Sequence, residues 1–522
     1  MPKQQTDHLV QLIRSLSKSE KRHFRLFVKR NQSSEDILFL QLFDVIDRHR
    51  EYDEELILRK VPDVKKRQLS NLKAHLYKQL LISLRLLHKS YHIDIEIRER
   101  IDYARVLYNK GLYRASLEML DKTKAKALLT CQHALVLEIV EFEKMIEGQY
   151  ITRSIGDRAD KLTSEAQKLT LLVGKTHAYS NLSLQLYGLY LKIGYVRNEQ
   201  DFHFVREFFY SRLPDFRYEE LDFYGKVYLN QSYVWYHYIS QDFLQCYRYG
   251  QRWVNLFEEE PEMIKAEAPL YLKGLHNLLN ALFNLWYYDR YIEVLAHLER
   301  FPQMFPVQQI KNIEGLYNLY RYIHLIKRHF LEGAFSDGLE LVPELMDTIS
   351  SERYNWDFNR VLVFYYNIAC LYFGSGDFER AIDYLNMIIN FKTPDFREDI
   401  QCFARILNLI AHFELGNAQL VEYQVKSVYR FLLKMKDMHQ VQREIFKFLR
   451  RMPRNRGAEL RRAFLDLKTT LEQVREDPYE RRPFLYLDII SWLESKLEDK
   501  PVQDIIHRKF LLRRKGPMGA LH

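Results

Sequence analysis

Few residues in this 522-residue chain are spaced for chemistry. Gly174-Lys175-Thr176 has the ending of a phosphate-binding loop, in which backbone amides and the lysine cradle a nucleotide. That loop needs a further glycine five residues before Gly174, after a strand. Position 169 is Leu169 and no strand pattern precedes it, so a nucleotide site is not expected. Gly-x-Gly-x-x-Gly, His-Glu-x-x-His and Gly-x-Ser-x-Gly are all absent. Their absence argues against a dinucleotide fold, a zinc-hydrolase helix and a hydrolase elbow. The 18 histidines are scattered, and two of them, His23 and His329, sit in Lys-Arg-His-Phe. The acidic runs Asp53-Glu54-Glu55 and Glu258-Glu259-Glu260 read as helix starts or solvated faces. Cys131, Cys246, Cys370 and Cys402 form no Cys-x-x-Cys pair, so neither a zinc site nor a disulfide framework is expected. The expectation is a protein without catalytic residues, metal or cofactor.

The elements that would carry any site are helices. Gly (18) and Pro (14) are scarce, which calls for long regular elements and short connections. Tyr (36) and Phe (32) are plentiful, and such rings supply much buried area at helix interfaces. Residues 1–95 read as amphipathic helices. Ser17 and Glu20 form a capping-box pattern ahead of Phe24 and Phe27, reciprocal partners for a helix start. Pro62 breaks the chain, and leucines from Leu69 to Leu87 at spacings of three and four predict a long helix over about 64–89.

From residue 96 a unit recurs. Its clearest copy holds Tyr365, Ile368, Ala369, Tyr372, Gly376-Asp377-Phe378, Ala381 and Leu385, with Pro394 closing it. Ala369 and Ala381 are small where two helices must approach, and Gly376 permits a tight turn. Weaker turns align on Tyr113, Tyr150, Phe202, Phe243, Tyr291, Phe335 and Asn417, in steps of 37–52 residues. The unit resembles the tetratricopeptide (TPR) repeat, whose standard period is about 34 residues. With its basic opening Ser17–Phe24, the chain is similar to TPR-type cytosolic proteins of bacteria to which no activity is assigned.

The resemblance implies an all-α fold, a TPR-like α-solenoid made as a superhelix of antiparallel helix pairs. The expected division is a basic N-terminal helical region (1–95), a repeat array (96–435), a C-terminal helical cap (436–510) and a basic frayed tail (511–522). It also implies a concave face built from the first helix of each pair, here carrying Trp235, Tyr238, Asn280, Phe283, Trp286, Tyr366, Asn367 and Phe373. Counted back from Tyr291 and Phe378, Asn280 and Asn367 share a register position. In some TPR proteins an asparagine there holds a peptide carboxylate beside a lysine. His276 and Val363 stand at the matching lysine positions, so an aromatic-lined peptide groove is favoured over a carboxylate clamp.

The charge is +9 and uneven: residues 1–90 hold 19 lysines and arginines against 11 acids, and 441–522 hold 19 against 12. The leading expectation is a non-catalytic protein–protein interaction scaffold binding a peptide or protein partner. The alternative is a nucleic-acid-binding regulator, with Lys21, Arg22, Arg25, Lys65, Lys66 and Arg67 meeting phosphates and the array acting as sensor. The longest uncharged run, 361–376, is short for a membrane span, and no signal peptide is read at the N-terminus. Cytoplasmic location is expected.

Overall fold

Turns closed by one left-handed residue organise this chain. In a computed structural model, residues 7–515 are described except 32–33, 50–52, 63, 89–92, 150–156, 216, 392–397, 435–439, 452–456, 481–483 and 485–487. Pro394, Tyr150 and residues 516–522 therefore lie outside the described residues. The fold is all-α, with no strand among the described residues. Two compact units, 1–171 and 172–522, divide within a helix at Leu171. Helices of 96–171, which the sequence grouped with the array, belong to the first unit.

The first unit contains α1 (His8–Ser15), α2 (Lys18–Asn31), α3 (Ser34–Arg48), α4 (Glu54–Lys60), α5 (Lys66–His88), α6 (Ile93–Asn109), α7 (Tyr113–Leu129), α8 (His133–Glu147) and the start of α9 (Arg158–Ile193). The capping box opens α2 as its sequence requires: Ser17 N donates to Glu20 Oε2 at 2.6 Å and Glu20 N to Ser17 Oγ at 3.2 Å. Phe24, Leu42, Phe43, Leu76 and Leu80 are buried in one core. Ile97, Leu117, Leu120, Val136, Ile139 and Val140 fill a second.

The second unit continues with α10 (Glu199–Tyr210), α11 (Phe223–Ile239), α12 (Phe243–Glu259), α13 (Glu262–Ala266), α14 (Ala268–Leu285), α15 (Tyr288–Met304), α16 (Lys311–Glu332), α17 (Phe335–Gly338), α18 (Val342–Ser350), α19 (Phe358–Ser375), α20 (Phe378–Ile389), α21 (Glu398–Glu414) and α22 (Ala418–Lys434). Then come α23 (Gln440–Arg451), α24 (Ala458–Glu476), α25 (Ile489–Glu498) and α26 (Val502–Lys515). Most helices pack on their chain neighbour, α17 packs on α19, and α14 also meets α16, α16 meets α19, and α19 meets α21. Ala369 and Ala381 are fully buried at the α19–α20 approach.

Five turns of this unit share one geometry. Gln241, Trp286, Gly333, Gly376 and Gly416 have φ of 61°, 59°, 69°, 89° and 74°. The amide after each donates to the carbonyl five residues before it: Asp242 to His237, Tyr287 to Leu282, Ala334 to His329, Asp377 to Tyr372, Asn417 to His412. This bond satisfies a carbonyl left over at the helix end and reverses the chain.

The second of these turns corrects the sequence alignment. The α14–α15 reversal lies at Trp286-Tyr287-Tyr288, not at Arg290-Tyr291, and Tyr291 is inside α15. A left-handed tryptophan carries no turn signal, because non-glycine residues rarely adopt that region. Asn280 and Asn367 are consequently one helical turn apart in register.

The C-terminal segment also departs from expectation. α25 seals the α21–α24 end, where Trp492 Nε1 donates to Glu414 Oε1 at 2.6 Å. α26 instead turns back over α16 and α19. Residues 511–515, read as frayed tail, form its last turn. Arg514 pairs with Asp289 at 3.0 Å, and Phe510 meets Tyr288 edge-on at 4.7 Å.

Candidate functional site

Register counted from the left-handed residues shows what α11, α14, α16 and α19 have in common. Three residues before each stands an aromatic ring: Tyr238, Phe283, Phe330 and Phe373. Six residues before stand Trp235, Asn280, Lys327 and Cys370. Helical side chains three apart share a face. All four rings, with Asn280, Lys327 and Cys370, line one cavity of about 1070 Å³ in the second unit. Helices α25 and α26 supply further wall through Ile490, Ile506, Lys509 and Arg513.

Seven of the eight residues assigned to the concave face border this cavity: Tyr238, Asn280, Phe283, Trp286, Tyr366, Asn367 and Phe373. Trp235 is set behind it, packed against Tyr187 and Tyr190 at 5.0 and 5.4 Å between ring centres. Tyr366 and Phe373 are each only 4% exposed and are as much core as wall, whereas Trp286 is 38% exposed. The Arg513 guanidinium lies 3.9 Å over the Trp286 ring, a cation–π contact at the end of α26.

Lys327 and His324 escaped the sequence reading, which met His276 only as the residue standing where a lysine was sought. The Lys327 ammonium donates to Asn280 Oδ1 at 2.6 Å and lies 4.7 Å from the Phe283 ring. It forms no ion pair with a carboxylate among the described residues. Removal from water brings its pKa down from 10.5 to about 8, since burial disfavours the charged form.

Lys327 fixes the direction of every bond beneath it. An ammonium only donates, so Asn280 Oδ1 accepts and Nδ2 donates to His276 Nε2 at 3.0 Å. His276 Nδ1 then donates to His324 Nε2 at 2.9 Å. His324 Nδ1 donates to Tyr291 Oη at 3.2 Å, and that hydroxyl donates to the His324 carbonyl at 2.8 Å. Each ring nitrogen has one role, which requires both imidazoles to be neutral. Burial, and next the Lys327 charge on His276 and the His276 charge on His324, hold both pKa values well below the ordinary range. The Tyr320 ring stacks on His276 at 4.0 Å.

A signal for Lys327 did exist in the sequence. Gly333 is a turn glycine, and six residues before it is a lysine where Gly376 has Cys370. The mis-set turn at Tyr291 hid the match with Asn280. Lys327 thus stands on α16 at the register position that Asn280 has on α14, and is bonded to it.

In the first unit, Lys21 pairs with Asp47 at 2.5 Å, and Arg25 with Asp44 at 2.8 Å and Asp47 at 3.1 Å. Arg22, Lys65, Lys66 and Arg67 are exposed, the last three around the start of α5. The basic patch thus divides into an internally neutralised pair and four solvent-facing cations.

No His/Cys/Asp/Glu group that could hold a metal occurs among the described residues, and none of their helices is long and apolar enough to cross a membrane. Comparison of the chain with protein-family models, with curated proteins and with solved structures finds no match.

Proposed function

We propose that the chain is a non-catalytic interaction scaffold whose second unit is a TPR-like α-solenoid, binding a peptide or protein partner on a concave face. The observation that carries this reading is the aromatic row Tyr238, Phe283, Phe330 and Phe373, repeated at one register position on four first helices and opening on one cavity. Rings held on rigid helices make binding anchors at low entropic cost. Trp286 at the rim is the exposed member a partner meets first.

The second reading, a nucleic-acid-binding regulator, rests on exposed Lys65, Lys66 and Arg67. The internal pairing of Lys21 and Arg25 leaves it fewer free cations than the sequence offered.

Affinity capture from lysate separates the two. Trp286→Ala with Phe283→Ala is expected to lose the captured partner, while Lys65→Glu with Lys66→Glu and Arg67→Glu retains it. The reverse pattern, or a salt-steep affinity for DNA or RNA in the full chain, moves the function to the first unit.

A further inference from the structure

We propose that the cavity between the aromatic row and helix α26 is a binding site for a small amphiphilic anion, a carboxylate, sulfonate or phosphate on an apolar body, received by Lys327. The proposal goes beyond the partner reading and stands whether or not a macromolecule docks at the rim.

Three observations lead to it. The first is charge. Lys327 is an ammonium withdrawn from bulk water, held by one neutral acceptor, Asn280, and lacking a carboxylate partner among the described residues. Buried ions are ordinarily paired. The histidines under Asn280 cannot serve as counter-ions, because neutral imidazole carries no charge. The ammonium has three hydrogens; one is spent on Asn280, and the group borders the cavity.

The second is polarity around it. Asn367 also borders the cavity, and its side chain makes no hydrogen bond to a described residue. It is a ready donor for a second anionic oxygen. Arg513 stands at the rim over Trp286, another cation on the entry side. The third is size and lining. At about 1070 Å³, the volume is that of a small-molecule site, more apolar than polar, with the acids Asp242, Glu476 and Asp488 and the cations Arg475, Lys509 and Arg513 also on its border. The rings of the aromatic row would take the apolar body, and Lys327 with Asn367 the head.

The test titrates the full chain with two fluorescent probes of one shape, 8-anilinonaphthalene-1-sulfonate and the neutral N-phenyl-1-naphthylamine. A charge-assisted contact in an apolar site predicts that Lys327→Met weakens the sulfonate by about tenfold or more. The neutral probe should change by less than about threefold, and Lys327→Arg should keep most of the sulfonate affinity. Competition by decanoate and by decyl phosphate, against decanol as neutral control, tells which acid the head site prefers. Lys426→Met, an exposed lysine of α22, reports binding elsewhere on the basic surface and should leave both probes unchanged. Unchanged sulfonate affinity in Lys327→Met overturns the proposal. So does an equal loss of both probes in a variant whose helical circular dichroism matches the parent, since that marks a merely apolar cavity.

Discussion

Lys327 on α16 and Asn280 on α14 occupy one register position on neighbouring helices and are joined by a 2.6 Å hydrogen bond across the gap. The bond is a poor exchange for water. The fall from 10.5 to about 8 corresponds to roughly 3 kcal/mol of disfavoured charge. Lys327→Met should therefore stabilise the chain at pH 7 by about 1–2 kcal/mol, after about 1 kcal/mol is lost at the orphaned Asn280 carbonyl. The sign follows from linkage. A folded-state pKa below the unfolded one makes the parent gain stability as pH rises from about 8 towards 10.5, and the variant should lack that rise. Urea unfolding at pH 7 and pH 9.5 measures both. A variant less stable than the parent at pH 7 would contradict the account.

Acid should act through histidines. His276 and His324 are held neutral by burial, and burial also brings His237 down to about 4. Folded pKa values below the unfolded 6.5 mean that the unfolded chain binds more protons. Stability is thus intact above pH 6.5 and falls towards pH 4, by roughly 1.4 kcal/mol per pH unit for each histidine. Proton uptake on unfolding, measured by calorimetry at pH 5, should be reduced by about one in His324→Asn. Equal uptake in parent and variant would show that the His276–His324 chain is protonated when folded.

Gly333 serves two purposes. Its φ is +69°, and a Cβ there would come 2.5 Å from His507 N and 2.9 Å from the Gln503 carbonyl oxygen on α26. Neither backbone atom can yield cheaply. Gly333→Ala is expected to lift α26 from α16 and to destabilise by about 1–3 kcal/mol. Trypsin should then cut faster at Lys509, Arg513 and Arg514, read by mass spectrometry of timed digests. Unaltered cleavage would place α26 elsewhere.

Two aromatic residues of the candidate face should behave oppositely. Tyr366 is buried at 4% exposure, and Tyr366→Ala should cost about 3–5 kcal/mol, as an emptied core site does. Trp286 holds a left-handed backbone and half-open ring. Trp286→Gly relieves strain of about 1 kcal/mol and gives up the Arg513 contact, worth about as much. Its melting temperature should stay near the parent's while the rim loses its ring.

The helices and one end of the face were legible in advance because their signals are local. Ser17 and Glu20 cap α2, leucines at helical spacing give α5, and Gly376-Asp377-Phe378 turns α19 into α20. The α14 turn was not legible, since Trp286 adopts by tertiary constraint a conformation its type disfavours. That one error displaced the register by three residues and hid Lys327 opposite Asn280. The neutral histidine chain is a long-range feature, joining residues 48 apart, and no local pattern announces it. The return of α26 over α16 was equally silent, because an amphipathic terminal helix fits an end cap and a face cover alike.

The central claim is that the aromatic face of α11, α14, α16 and α19 is where a partner binds. Site-specific photo-crosslinking in the full chain tests it most directly, with the photoreactive residue placed at Trp286 and, as control, at Tyr423 on exposed α22. The account predicts a discrete adduct to one partner at 286, lost when Phe283→Ala is added, and none at 423. Adducts at 423 but not at 286 would contradict it.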